Sequence, residues 1–240
     1  MDAEALPLAL TMGDPAGIGG ELTLAAWERA RHGAGPVFVV LDDPARLAAL
    51  AARLGRMVPL AEVADPAGAA TLFRERLPVL PVPLAAPVTP GRPDAAHAPA
   101  ILSSIETAVR LAQAGKAGGL VTNPISKASL YGAGFGFPGH TEYLGALTGL
   151  AEPPVMMLAC PDLRVVPVTI HVSLRRALAE LTTAEILRTA RVLHRSLQAD
   201  FGIAAPRIAV AGLNPHAGEG GAMGDEEGRI VVPAIEALRA

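Results

Sequence analysis

The sequence is short of aromatics, of cysteine and of uninterrupted apolar stretches. Each shortage excludes something. Phe, Trp and Tyr supply only 3% of the 240 residues, so a core has to be built from Ala, Val, Leu and Ile. No basic run and no interleaving of aromatics with cations is present, and the net charge is −3. A nucleic-acid footprint is therefore absent from the pattern. The single Cys160 excludes an intramolecular disulfide and fits a reducing cytoplasm. No base accompanies it in a nucleophile pattern, so it reads as a small buried hydrophobe. The most apolar segment, 153–172, is broken by Pro153, Pro154, Pro161, Asp162, Arg164 and Pro167, which argues against a membrane helix. Asp2 and Glu4 precede a short apolar run, unlike the basic start and longer stretch of a secretory signal. These absences point to a cytoplasmic protein without nucleic-acid or membrane partners.

What is present is ample apolar material, 51% of the chain against 18% charged. That suffices for one large or two small domains. Short apolar runs alternate with helical stretches. Strands are expected at 6–12, 36–41, 118–122, 155–160, 164–170 and 207–213, with Pro167 marking an edge or bulge. Helices are expected at 20–33, 43–55, 99–115, near 124–132, from about 183 to 201, and from 232 to the end. Gly33 is placed to stop the first of these. Thr182 and Glu185 have capping-box spacing. The proline-dense stretch 78–100 reads as an extended crossover or linker. Strands alternating with helices predict an α/β fold with a largely parallel sheet.

Ligands of such folds bind at the carboxyl ends of the strands. Four segments are expected there: "GDPAGIGGE" (13–21), "TNPISK" (122–127), "HVSLRRA" (171–177) and "NPHAGEGG" (214–221). The first places glycines between a strand and a helix, as an anion-binding turn does. It does not complete a dinucleotide fingerprint, because Leu22 stands where the third glycine is needed. A glycine turn without ligand explains it equally well, and Asp42 is not assigned to a ribose. "FGFPGHTEYL" (135–144) presents His140 and Thr141. Thr141 is a candidate helix cap, and His140 a candidate donor to phosphate or carboxylate, although a lone loop histidine is more often structural. His171 and His216 each follow an apolar run, and two imidazoles at neighbouring strand ends can hold one divalent ion. Arg175 and Arg176 are candidates for balancing an anion. His32, His97 and His194 look uninvolved. Glu219, Asp225, Glu226 and Glu227 are candidate metal ligands, although a charge cluster after a glycine loop is usually solvated.

Together, "PLALTMGDPAGIGGE", "TNPISK", "FPGHTEYL", "IHVSLRRA" and "GLNPHAGEGGAMGDEE" resemble the 4-hydroxythreonine-4-phosphate dehydrogenase (PdxA) family of pyridoxal 5'-phosphate biosynthesis, in order, from about residue 6 to 235. The resemblance implies a two-domain isocitrate/isopropylmalate dehydrogenase-like fold, with mostly parallel sheets and flanking helices. The corresponding domains are 1–122 and 123–240. It implies a homodimer, a nicotinamide cofactor (NAD or NADP) and a divalent metal (zinc, magnesium or cobalt). On the matching positions, His140 and Thr141 would contact substrate, and His171 and His216 would bind the metal. The implied reaction is oxidation of 4-(phosphooxy)-L-threonine, with decarboxylation to 3-amino-2-oxopropyl phosphate. Two other readings are kept: a sister dehydrogenase acting on a tetronate 4-phosphate or a cyclic diol, and an inactive α/β fragment. Family chains continue past the position of Ala240 with a third metal-binding histidine, so the resemblance reads this chain as C-terminally truncated.

Overall fold

The structure, a computed structural model, describes residues 6–240. Asp2 and Glu4, notable in the sequence for their charge, lie outside the described residues. The chain forms two compact units, 6–150 and 151–240.

The first unit holds a five-stranded parallel sheet in the order β3-β4-β2-β1-β5. Its strands are β1 (Leu8–Thr11), β2 (Phe38–Asp42), β3 (Leu60–Glu62), β4 (Leu77–Pro81) and β5 (Gly119–Val121). The connecting helices are α1 (Gly19–Arg29), α2 (Pro44–Arg53), α3 (Ala69–Leu72) and α4 (Ala98–Gln113). Alternation along the strands explains how both faces are covered. Leu10, Phe38, Val40, Leu77 and Val79 face Leu24, Trp27, Leu47 and Leu50 of α1 and α2. Ala9 and Leu41 face Ile101 and Ile105 of α4 on the opposite side. Small residues on that second face let α4 lie close to the sheet. Ser104 then ties the layers together: its hydroxyl donates to the Leu41 carbonyl at 2.8 Å and accepts from Met12 N–H at 3.0 Å.

Helix ends follow the sequence closely. Asp43 caps α2 by accepting from Arg46 N–H, with Pro44 at its first position. Gly33 takes φ +90° beyond α1 and stops the helical run. The proline-dense stretch departs from expectation, because residues 77–81 form an interior strand. Leu77 N–H donates to the Pro59 carbonyl and the Val79 carbonyl accepts from Val63, so odd positions face β3. Val82 N–H donates to Asp42, so even positions face β2. Pairing with β2 begins at Val79, after Pro78, and β3 ends before Pro81. Neither proline removes a donor that the ladder uses.

The first unit also includes α5 (Lys127–Gly132) and α6 (His140–Thr148). Leu130 and Tyr143 join the α4 core, and Tyr143 Oη donates to Glu106 Oε1 at 2.8 Å. That packing makes α5 and α6 part of the first compact unit, which runs to Leu150.

The second unit contains an antiparallel hairpin, β6 (Leu158–Cys160) with β7 (Leu163–Val165), and helices α7 (Leu174–Glu180), α8 (Thr183–Ala199) and α9 (Val232–Arg239). Thr182 caps α8, its Oγ1 accepting from Glu185 N–H, but the Glu185 carboxylate pairs with Arg188 and leaves the expected capping box half made. Two expected strands do not. β7 stops at Val165, and 207–213 carries no ladder. A parallel strand needs neighbours for its N–H and C=O groups, and among the described residues none pairs with 166–170 or with 207–213. Val168 and Val210 still pack against the small core of Ile186, Val231 and Ala234. Cys160 is exposed on the hairpin rather than buried.

Candidate functional site

In the first unit the loops after β1 and β5 meet at the carboxyl edge of the sheet. Gly13 takes φ +68°, and a Cβ there would stand 2.6 Å from the Pro124 carbonyl oxygen and 2.7 Å from Asn123 Cβ. Asp14 N–H donates to the same carbonyl at 2.8 Å. Asn123 Nδ2 donates to the Thr11 carbonyl at 2.9 Å and to Thr23 Oγ1 at 3.0 Å. A Cβ on Gly19 would lie 2.8 Å from the Met12 carbonyl. Gly13 and Gly19 of "GDPAGIGGE" therefore serve close backbone approach. Asp42 is fully buried and spent on structure: it accepts from Asp43 N–H and from Arg46 Nε and Nη2. Burial pushes its carboxyl upward, opposed by the Arg46 guanidinium.

His140 opens α6. Its N-cap is Gly139, in extended conformation and with no side-chain cap. Thr141 lies in the first turn and does not cap, contrary to the alternative raised by the sequence. Phe135, Phe137 and Tyr143 stack edge-on and tilted with centroids 5.0–5.4 Å apart, fixing the loop that leads into the helix. The Lys127 ammonium lies against Gly139, 3.8 Å from where a Cβ would project. His140 Nε2, Glu142 Oε2 and Asp14 Oδ2 are buried without hydrogen-bond partners. Buried polar atoms are nearly always paired, so such atoms point to a ligand surface. The helix N-terminus and Lys127 bring positive charge here, and the Glu142 carboxylate faces them, its Oε2 3.5 Å from the same Cβ position at Gly139.

Burial, and secondarily the Lys127 charge, hold the His140 imidazole below its ordinary value of 6.5. Between that depressed value and 6.5 the unfolded chain binds a proton that the folded chain refuses. Stability from this group is therefore complete above 6.5 and declines as the pH falls. Thermal melts at neutral and mildly acidic pH should show a larger acid-induced drop for the wild type than for His140→Gln. Lys127→Met should soften the drop only in part, because burial is the larger cause. Superimposable pH profiles for wild type and His140→Gln would refute the buried neutral imidazole.

His171 and His216 both belong to the second unit, and both side chains are exposed. His171 sits at φ +59° on a bend before Ser173, which caps α7. Arg176 pairs with Glu180 of its own helix. His216 begins a left-handed run: His216, Ala217, Gly218, Glu219 and Gly220 all have positive φ. Three of these are not glycine, at about 1–2 kcal/mol each. Strain of this kind persists only where surrounding contacts enforce it, and it gathers at functional sites. The Glu227 carboxylate, expected from the sequence to be solvated, is one such contact and is buried beneath the loop. His216 Nδ1 lies 3.9 Å from Glu219 Oε2, too far for a hydrogen bond.

Exposed imidazoles suit zinc or cobalt as ligands. Among the described residues, however, no group of three or more His, Cys, Asp or Glu side chains stands together. The donors present suit a divalent cation as part of a shell. His97, expected in a linker, is instead buried ahead of α4, with Nε2 3.3 Å from the Ala86 carbonyl. Asn123 and Lys127 lie in "TNPISK" and Glu227 ends "GDEE", but no spacing within those segments assigns them a role, because the groups they meet are distant in sequence.

A parallel sheet covered by helices on both faces, with its glycine loops and unpaired polar atoms at the carboxyl edge, defines an α/β enzyme. A model of the family "Pyridoxal phosphate biosynthetic protein PdxA" matches residues 35–240. A 4-hydroxythreonine-4-phosphate dehydrogenase of Caulobacter vibrioides is 53% identical, covering 98% of this chain and 70% of that protein. The crystal structure of the Klebsiella pneumoniae 4-hydroxythreonine-4-phosphate dehydrogenase superposes with TM-score 0.87 at 36% identity, covering 98% of this chain and 72% of that one. A terephthalate 1,2-cis-dihydrodiol dehydrogenase from Burkholderia xenovorans superposes with TM-score 0.60 at 29% identity, covering 98% and 70%. The chain belongs to the PdxA family, oxidoreductases of pyridoxal phosphate biosynthesis with the isocitrate/isopropylmalate dehydrogenase-like fold. Among the described residues no helix is long and apolar enough to cross a membrane.

Proposed function

We propose that this chain oxidises 4-hydroxythreonine 4-phosphate with NAD or NADP and a divalent cation, as a homodimer in the cytoplasm. The reading is carried by similarity over nearly the whole of this chain to enzymes named for that substrate, together with the Lys127 ammonium set against the start of α6. His140 and Thr141 would contact substrate, and His171 and His216 would hold the metal. The metal would act as a Lewis acid toward the substrate's alcohol and carbonyl oxygens, and the nicotinamide as hydride acceptor.

The chain's own contribution is orientation. His140, kept neutral by burial and Lys127, presents an unpaired Nε2 that can donate to or accept from a substrate oxygen without changing charge. Lys127 and the first-turn N–H groups of α6 would steady the phosphate or carboxylate. Tyr143, held on Glu106, keeps α6 against α4 so that these groups do not drift. The division read at 122/123 stands as a proposal for how the family's two domains map onto this chain.

Similarity to a cis-dihydrodiol dehydrogenase favours a second reading, a sister enzyme for another secondary alcohol. A substrate panel separates the two. Reduced cofactor should form from 4-(phosphooxy)-L-threonine with added Zn2+, Mg2+ or Co2+, and not from a tetronate 4-phosphate or a cyclic cis-diol. Turnover confined to either of the latter would transfer the assignment. Absence of turnover with all three would favour an inactive fragment.

A further inference from the structure

Glu227 is only 8% exposed, and it serves the loop that carries His216. Its Oε1 accepts the backbone N–H groups of Leu213 at 2.7 Å and Asn214 at 2.6 Å. Its Oε2 accepts from Asn214 Nδ2 at 2.9 Å, and the same amide also donates to Glu226 Oε2 at 2.7 Å. One carboxylate thus gathers three donors from the two residues that open the segment "LNPH". The loop also closes over the carboxylate. A Cβ on Gly218 would stand 2.9 Å from Glu227 Oε2, and one on Gly212 would stand 3.5 Å from Oε1. Glu227 begins a π-turn, Glu227–Val231, that runs into α9, whose Ala234 is fully buried beside Val231. The loop is therefore fastened to the core of its own unit by charge-assisted hydrogen bonds, the stronger kind. That fastening faces a backbone in which His216, Ala217 and Glu219 hold left-handed conformations that L-residues resist.

We infer that Glu227 is the positioning residue for His216: its buried carboxylate fixes Leu213 and Asn214 and thereby sets how the His216 imidazole meets its metal. The inference rests on the reading of His216 as a metal-binding residue. Glu227 touches neither metal nor substrate. It acts through the backbone, as outer-shell groups do when they orient a ligand they support.

The test titrates Co2+ into the 240-residue chain. Its readouts are visible absorption of bound cobalt, amide exchange at Leu213 and Asn214, melting temperature, kcat and KM. Glu227→Gln keeps the side-chain size but turns an NH2 group toward the Asn214 amide donor. It should melt within a few degrees of the wild type, exchange those two amides faster and bind Co2+ about 10–100-fold more weakly. Its kcat should fall more than its KM rises. Asn214→Ala leaves the two backbone bonds of Glu227 in place and should give a smaller loss in the same direction. Glu236→Gln, exposed on α9, should match the wild type. If Glu227→Gln binds Co2+ normally while His216→Ala does not, the positioning role is overturned. If His216→Ala itself binds Co2+ normally, the metal reading beneath the inference has failed, whatever Glu227 does. Should Glu227→Gln not fold, Asn214→Ala decides: unchanged Co2+ affinity there, with His216→Ala impaired, overturns the role.

Discussion

Gly13→Ala should destabilise the first unit by about 2–5 kcal/mol, combining the cost of a left-handed L-residue with that of forced overlap. The overlap is with backbone. The added Cβ would meet the Pro124 carbonyl oxygen at 2.6 Å and Asn123 Cβ at 2.7 Å. Neither can rotate away, because Asp14 N–H holds that carbonyl and the Asn123 amide is bound to Thr11 and Thr23. Separating the two loops would break this buried network and strand its polar atoms. In a thermal melt the change corresponds to roughly 5–15 °C for a unit of this size. Gly33→Ala is the control. It has a positive φ as well, but nothing lies within 4 Å of its missing Cβ. Only conformational strain remains there, about 1–2 kcal/mol. Equal losses at the two positions would mean that the contact between the β1 and β5 loops is not the reason for Gly13.

The second large effect should appear in binding. His171→Ala and His216→Ala should each weaken Co2+ or Zn2+ affinity by at least the roughly 10–100-fold that outer-shell substitutions cost. Turnover should fall with it. Both side chains are exposed, and the backbone at each position stays left-handed after the change. Melting temperatures should therefore scarcely move, since exposed substitutions without a structural partner stay within about 0.5 kcal/mol. Lost affinity with unchanged stability is the signature of a ligand. Wild-type affinity in calorimetric titrations of both variants would reject these histidines as the metal donors.

Much of the first unit is legible in its amino-acid pattern. The run 36–41 is apolar on nearly every residue because β2 is covered on both faces, and it reads as a strand without help from its neighbours. Gly33, Asp43 and the Thr182–Glu185 pair mark helix ends through chemistry confined to one turn. Resemblance to the segments of a known family locates His140, Thr141, His171 and His216 by position alone.

Other features depend on partners distant in sequence. "LPVLP" reads as linker, and only the register of β3 and β2 reveals that its prolines fall where no donor is needed. "RIAVAGL" reads as a strand, yet a strand is a relation between segments, and nothing described pairs with it. The acidic cluster after the glycine loop reads as solvated, and only the fold brings Glu227 beneath Leu213 and Asn214. Local propensity, periodicity and capping act over a few residues, so the sequence determined by itself β1, β2, β5 and the helices α1, α2, α4 and α5 of the first unit, and the family. Burial, ladder partners and the conformation of the His216 loop are set by contacts between distant residues, and those only the tertiary structure decided.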